Sequence, residues 1–329
     1  MNDSIRSDRV RQFVVTASAV FMIVGTLFGI GVFGTRVEET AGGSLSATAT
    51  LLAPAVRAFS IWSVIYAGLI AYVVWQWLPA NTASPRARAI GWLASASMVL
   101  NAAWLLVTQV SWLWASVAII VALAVTLGLL MQRLSEIPAG VGEAAVSEAS
   151  SGSAIVGGSG SAIVGGLGEA SSGSAIARGA GSASSGSAIA RGSGSAIVGG
   201  PSWVERVVVD GTFGLYLGWV SVATAANITA TLVASGVNPG GTVSEIVAVA
   251  VLAVAAGLGV LLAREFGGRI GVAAAMAWGL SWIAVGRFAG EPNSALTGIA
   301  AALAALVVVA AALVWARRPV QLAQARSAS

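Results

Sequence analysis

Three small clusters of neutral polar and aromatic side chains carry whatever chemistry this sequence offers. In the first, Trp62 and Tyr66 stand about one helical turn apart, and Trp75, Gln76 and Trp77 follow near the end of the same apolar run. In the second, Ser97, Asn101 and Thr108 share a helical face, with Trp104 three residues after Asn101. In the third, Trp219, Ala223 and Asn227 follow i, i+4, i+8, with Ser221 and Thr224 beside them. Such groups stack, donate and accept hydrogen bonds, but they are not ionised at neutral pH. Aromatic walls broken by a few neutral polar groups suit a flat apolar ligand. The same spacing also suits plain packing between membrane helices, where a polar contact is worth about 0.6 kcal/mol. On spacing alone, helix packing is somewhat favoured over a pocket.

What is missing narrows the chemistry further. All 17 basic residues are Arg, and there is no His and no Cys. Thiolate catalysis, disulfides, Cys metal sites, an axial His for haem and a His proton shuttle are therefore excluded. None of the 13 acidic residues falls at the centre of an apolar run; Asp210, Glu245 and also Arg287 lie at run ends. A charge at mid-bilayer costs about 2.5–3.5 kcal/mol and usually marks an ion path. Its absence argues against a proton-coupled transporter, a voltage sensor and a carboxylate-dependent hydrolase. No catalytic residue and no metal ligand is expected.

These clusters sit on elements that only a bilayer explains. Hydrophobic residues make up 57% of the chain and charged ones 9%, against about a quarter charged in soluble domains; mean hydropathy is +0.88. The apolar residues gather in runs near the roughly 20 residues that cross a bilayer as a helix. The expected fold is all-α: a polytopic membrane bundle of about eight helices, with spans near 12–34, 57–79, 89–109, 112–132, 208–234, 245–263, 270–287 and 295–316. The run from Val14 to Phe33 is too long for a signal-peptide core and reads as a retained first helix. A tight connection at Val110 and Ser111 predicts a hairpin between the third and fourth spans.

Arginine placement sets the orientation. With the N-terminus inside, only Arg36, Arg57 and Arg287 lie on outer segments, and every other Arg lies inside. That asymmetry predicts both termini in the cytoplasm, in what reads as a bacterial cell membrane. It also accounts for the pI near 10.6 without nucleic acid, since no basic stretch is interleaved with aromatics.

The sequence then divides into spans one to four over 1–134, a Gly/Ser/Ala-rich segment over 135–201, a fifth span completing a core over 202–234, three further spans over 235–318 and a cytoplasmic tail over 319–329. Within 135–201 the octet Ser-Gly-Ser-Ala-Ile-Val/Ala-Gly/Arg-Gly begins at Ser151, Ser159, Ser172, Ser185 and Ser193. Each copy offers too few apolar atoms to offset its ordering entropy, which predicts a disordered cytoplasmic loop. Several motifs carry less than they suggest. Gly29-Ile-Gly-Val-Phe-Gly34 matches a dinucleotide fingerprint, but within an apolar run it reads with Gly25 as close helix packing. The sequon Asn227-Ile-Thr229 lies inside a span, and that at Asn2 lies on the inner side. Trp75, Trp77, Trp92, Trp112, Trp114, Trp203 and Trp315 read as interfacial anchors.

The clusters have a family likeness. Phe59-Ser-Ile-Trp62-Ser-Val-Ile-Tyr66, Asn101-Ala-Ala-Trp104 and Trp219-Val-Ser221-Val-Ala223-Thr224-Ala-Ala-Asn227 resemble, in order and by helix, the signatures of the TspO/MBR family. These are the tryptophan-rich sensory proteins related to the mitochondrial translocator protein. The sequence departs from that pattern in its three extra spans, in its long fourth-to-fifth loop, in a Pro-rich approach reduced to Pro54, and in Phe59 standing three residues before Trp62 rather than four. The resemblance implies a five-helix TspO-like core around a pocket open toward the loop between the first two helices. It implies that Trp62 and Tyr66 wall this pocket, that Asn101 and Trp104 face it, and that Trp219, Ser221 and Asn227 close it, with Ala223 leaving room. It also implies a sensor or receptor role, with a porphyrin, another tetrapyrrole or a sterol-like molecule as non-covalent ligand. No cofactor is required. A facilitator of a small apolar molecule, a pigment-modifying enzyme and a structural protein without ligand are the competing expectations. The last three spans read equally as a partial second bundle, a homodimer surface or a lipid-facing cover.

Overall fold

The computed structural model describes residues 2–137 and 203–327; the repeat octets lie outside the described residues. Among these, the chain is helical with no strand. Eight helices are long and apolar enough to cross a membrane: α1 (Asn2–Gly29), α2 (Ile61–Trp77), α3 (Pro85–Gln109), α4 (Leu113–Glu136), α5 (Thr212–Ala234), α6 (Gly241–Glu265), α7 (Ile270–Ala289) and α8 (Ala295–Ser327). The span count read from hydropathy holds, because each helix must satisfy its own backbone in lipid and so follows the local apolar run. The boundaries move at α1, which begins ten residues earlier than expected and stops at Gly29, where Gly31 turns the chain at φ 81°. Gly31 to Gly34 are therefore loop, not packed helix. Gly25 and Gly29 do pack as expected: a Cβ on Gly25 would stand 2.9 Å from Ala102 of α3. The α3–α4 hairpin turns at Ser111, φ 58°.

The main helix contacts run α1–α3–α4–α5–α7–α8–α6. Small residues set the closest of them. Gly214 and Gly218 of α5 lie against Gly271 and Val272 of α7 so tightly that a side chain at Gly218 would meet the Val272 carbonyl. This is the small-xxx-small mode of membrane helices, which gains dispersion from close backbones. Helix α2 adds large aromatics to a close contact of Gly68 with Thr212. Tyr72 is edge-on to Phe213 and stacks on Trp75. Trp75 is 4% exposed, so it belongs to the core and not to the interface, as the sequence reading had it. Trp92, Trp112, Trp114 and Trp203 are exposed as anchors should be.

Charges gather at the end of the bundle that carries the chain termini. Arg86 of α3 donates to Glu205 and to Asp210, each at 2.8 Å, and Arg269 at the start of α7 also meets Asp210. Glu205 precedes a π-helical stretch, Arg206–Gly211, that contains Asp210 and leads into α5. Arg88 pairs with Asp8, while Arg11 donates to the carbonyls of Ala87 and Thr82. Charge in the spans is thus confined to helix ends, and buried cations there find acceptors, as low dielectric demands.

Candidate functional site

At the opposite end, the loop between α1 and α2 folds over the bundle. It contains short helical turns at Val37–Glu39, Thr40–Gly43 and Val56–Ser60. Gln109 at the end of α3 holds its start with a two-way amide pairing: its Nε2 donates to the Thr35 carbonyl at 2.8 Å, and its Oε1 accepts from the Thr35 N–H. The last turn places Phe59 in line with Trp62 and Tyr66 of α2, so one stripe of three rings faces inward. Trp62 stacks on Tyr66 with centroids 5.2 Å apart. Across from them, α5 presents Tyr216 and Trp219 edge-on: Trp219 lies 5.7 Å from Phe59 and 6.2 Å from Trp62, and Tyr216 lies 5.9 Å from Trp62. Edge-to-face geometry puts the positive ring edge against the negative ring face. It also leaves wedge-shaped gaps that parallel stacking would fill.

Two adjoining chambers occupy this region. The outer has about 540 Å³ of atom-free space, partly open at its mouth. The loop supplies one wall, from Val37 through Ser44–Ser46 to Thr50, Ala53 and Pro54, and α5 supplies the other, with Val222, Ala223, Ala226, Asn227 and Ala230. The inner has about 320 Å³ and is lined by Trp62, Asn101, Ile120, Leu123 and Val220. Phe59, Trp104, Trp219 and Ala223 border both, so the chambers are two parts of one cleft. No ionisable side chain lines either.

The polar groups around the cleft are incompletely used. The Tyr66 hydroxyl donates to Asn101 Oδ1 at 3.4 Å, and the Tyr216 hydroxyl donates to the Ser97 carbonyl at 3.3 Å. Asn227 meets the Ser116 hydroxyl of α4 at 3.2 Å with one amide atom and leaves the other without a partner. The Nε1 groups of Trp104 and Trp219 are both buried without an acceptor among the described residues. An indole N–H can only donate, and leaving it unmet costs about 1–3 kcal/mol. Orphan donors in a native fold call for an explanation, and here both belong to rings that border the same cavity.

Of the sequence-derived site residues, Trp62, Asn101, Trp104, Trp219 and Asn227 line the cleft. Tyr66 lines neither chamber; it backs Trp62 and steadies Asn101. Ser221 also lines neither, and its hydroxyl donates to the Leu217 carbonyl one turn back. Ser97 and Thr108 likewise bond within α3, to Ala94 and Leu105. Sequence reasoning did not assign wall positions to Phe59, to Ile120 and Leu123 of α4, or to the loop from Val37 to Pro54. Phe59 was visible through its i, i+3 spacing to Trp62. The loop and α4 residues are ordinary in type and offered no signal.

Residues 11–153 and 187–315 match the family described as TSPO-like protein. No curated protein and no solved structure matches the chain.

Proposed function

The chain belongs to the TSPO-like family of membrane proteins, and from that premise we propose that it is a tryptophan-rich sensor or receptor binding a flat apolar ligand in the cleft between α2, α3, α4, α5 and the α1–α2 loop. One observation carries this reading: two indole donors, on Trp104 and Trp219, lie buried and unpartnered on rings that border a single aromatic-walled cavity. A ligand with a π-face for the rings and an oxygen or nitrogen acceptor for the indoles meets both needs. Tetrapyrroles have both, and an oxygenated sterol offers a flat apolar face in place of the π-face together with an oxygen acceptor. With no His or Cys in the chain, a porphyrin binds by stacking and hydrogen bonds, without protein ligation of iron. The distribution of Arg favours cytoplasmic termini, which puts the cleft toward the outer face.

A binding role is favoured over catalysis because general acid–base work needs a titratable group beside the substrate, and the cleft lining has none. Facilitated passage is the weaker reading, since the two chambers adjoin at the loop end of the bundle and passage needs access from both faces. The test is quenching of Trp fluorescence by protoporphyrin IX in purified protein. Saturable quenching is expected in the parent. The combined substitutions Trp62→Ala, Asn101→Ala and Trp219→Ala should abolish the saturable part; undiminished affinity in that variant removes the cleft from consideration.

A further inference from the structure

The last three helices contribute no side chain to the cleft lining, yet one of them holds the wall that closes it. Along α7, Trp278, Trp282 and Gly286 fall on a single stripe at i, i+4, i+8, with Arg287 adjoining. Every one of these meets the α1–α2 loop. The Trp278 indole donates to the Ala58 carbonyl at 2.9 Å. The Ala55 N–H donates to the Trp282 carbonyl at 3.1 Å, and Gly286 faces Ala53 and Ala55 of the same stretch. The Arg287 guanidinium is 1% exposed. It donates to the Thr50 carbonyl at 2.9 Å and to the Ala47 and Glu291 carbonyls at 3.2 Å.

The anchored positions interleave with the lining positions. The loop is tied to α7 at Ala47, Thr50, Ala55 and Ala58, and it lines the cleft at Ser46, Thr50, Ala53, Pro54 and Phe59. Each anchor thus sits within two residues of a wall residue, and Thr50 is both. Arg287 makes no ion pair among the described residues. A buried guanidinium is tolerated only while acceptors surround it, so lifting the loop strands a cation. That asymmetry makes Arg287 a stronger hold than its three hydrogen bonds would be between neutral groups.

We infer that α7 is the seat of the cleft's roof and that Arg287 is its latch, a positioning residue outside the five-helix core that governs access to the ligand cleft. The inference rests on the cleft being the binding site, but its first test needs no ligand. The chain has no Cys, so Ala223→Cys places one thiol in the wall shared by the two chambers. Ala94→Cys gives a buried control in α3, remote from the loop. In detergent-solubilised full-length protein, Arg287→Gln should speed reaction of the Ala223→Cys thiol with N-ethylmaleimide by about tenfold or more. Arg287→Lys, which keeps a cationic donor, should restore most of the slow rate. The control thiol should not change.

Equal acceleration at both thiols means general loosening and overturns the latch, as does no acceleration at either. Should Arg287→Gln not fold, Trp278→Phe removes only the donor to Ala58 and must speed the same thiol by severalfold, or the inference fails. With protoporphyrin IX as probe, Arg287→Gln should raise association and dissociation rates together, leaving Kd changed less than either. If the parent does not bind protoporphyrin, the binding reading falls while the thiol rates still decide the latch.

Discussion

The ring-lined cleft between α2 and α5 and the seam where α5 meets α7 solve membrane packing in opposite ways. Around α2 and α5 the contacts are made by Phe59, Trp62, Tyr66, Tyr216 and Trp219, large rings meeting edge to face. In α6–α8 and at their junction with α5 the contacts are made by Gly and Ala: Gly218 on Val272, Gly259 on Val308, Gly298 on Phe288. Rings that cross at wide angles hold helices apart and leave space, and with the space come unmet indole donors. Small residues bring backbones together. The first arrangement suits a cavity. The second suits a rigid support, and the roof of the cavity is fastened to it. The lesson is that a site in lipid is built from loose packing braced by tight packing, because no hydrophobic drive between helices closes the gaps.

Breaking the brace should cost most. Gly218→Val drives a branched side chain into the Val272 carbonyl and should destabilise by about 3 kcal/mol, read as a fall in unfolding midpoint in detergent. Arg86→Met, at the charged end where Asp210 joins α3 to the start of α7, removes the cation shared by Glu205 and Asp210 and leaves Asp210 to Arg269; it should cost about 2 kcal/mol. Because these groups are largely buried, that loss should persist in high salt.

Changes within the cleft should separate stability from binding. Trp104→Phe removes an indole N–H that has no partner among the described residues. It should weaken protoporphyrin binding about fivefold, near 1 kcal/mol, while unfolding shifts only by the small packing loss. Equal losses in both measurements would mean that Trp104 packs helices and does not meet a ligand. The least effect belongs to Gly257→Ala in α6, where a Cβ meets nothing within 4 Å. It should be neutral or stabilise by less than about 1 kcal/mol. A marked loss there would show that the outer face of α6 is covered by something other than lipid.

The eight spans and five of the cleft residues were readable without coordinates. Hydropathy is a property of a local window, and in a bilayer the window decides the helix. Trp62, Asn101, Trp104, Trp219 and Asn227 were readable because polar and indole groups in an apolar run stand out by type. Residues ordinary in type were not. Nothing in Ser44 to Pro54 marks a wall, and Ile120 and Leu123 look like any lipid-facing pair. Type also misled: Ser221 turns back to its own helix, and Trp75 enters the core. Arg287 read as a terminal charge on an outer segment, yet it is buried against loop carbonyls more than 230 positions away in sequence.

Sequence alone therefore determined how often the chain crosses the membrane, which end gathers the arginines, and which helices carry rings and amides that lipid would not favour. Only the tertiary structure decided how each helix is turned about its axis, that α7 lies beside α5, and that the α1–α2 loop is a wall of the cleft. The first set depends on composition within about 20 residues. The second depends on contacts between segments far apart in the chain, where a difference of one Gly or one guanidinium selects the neighbour.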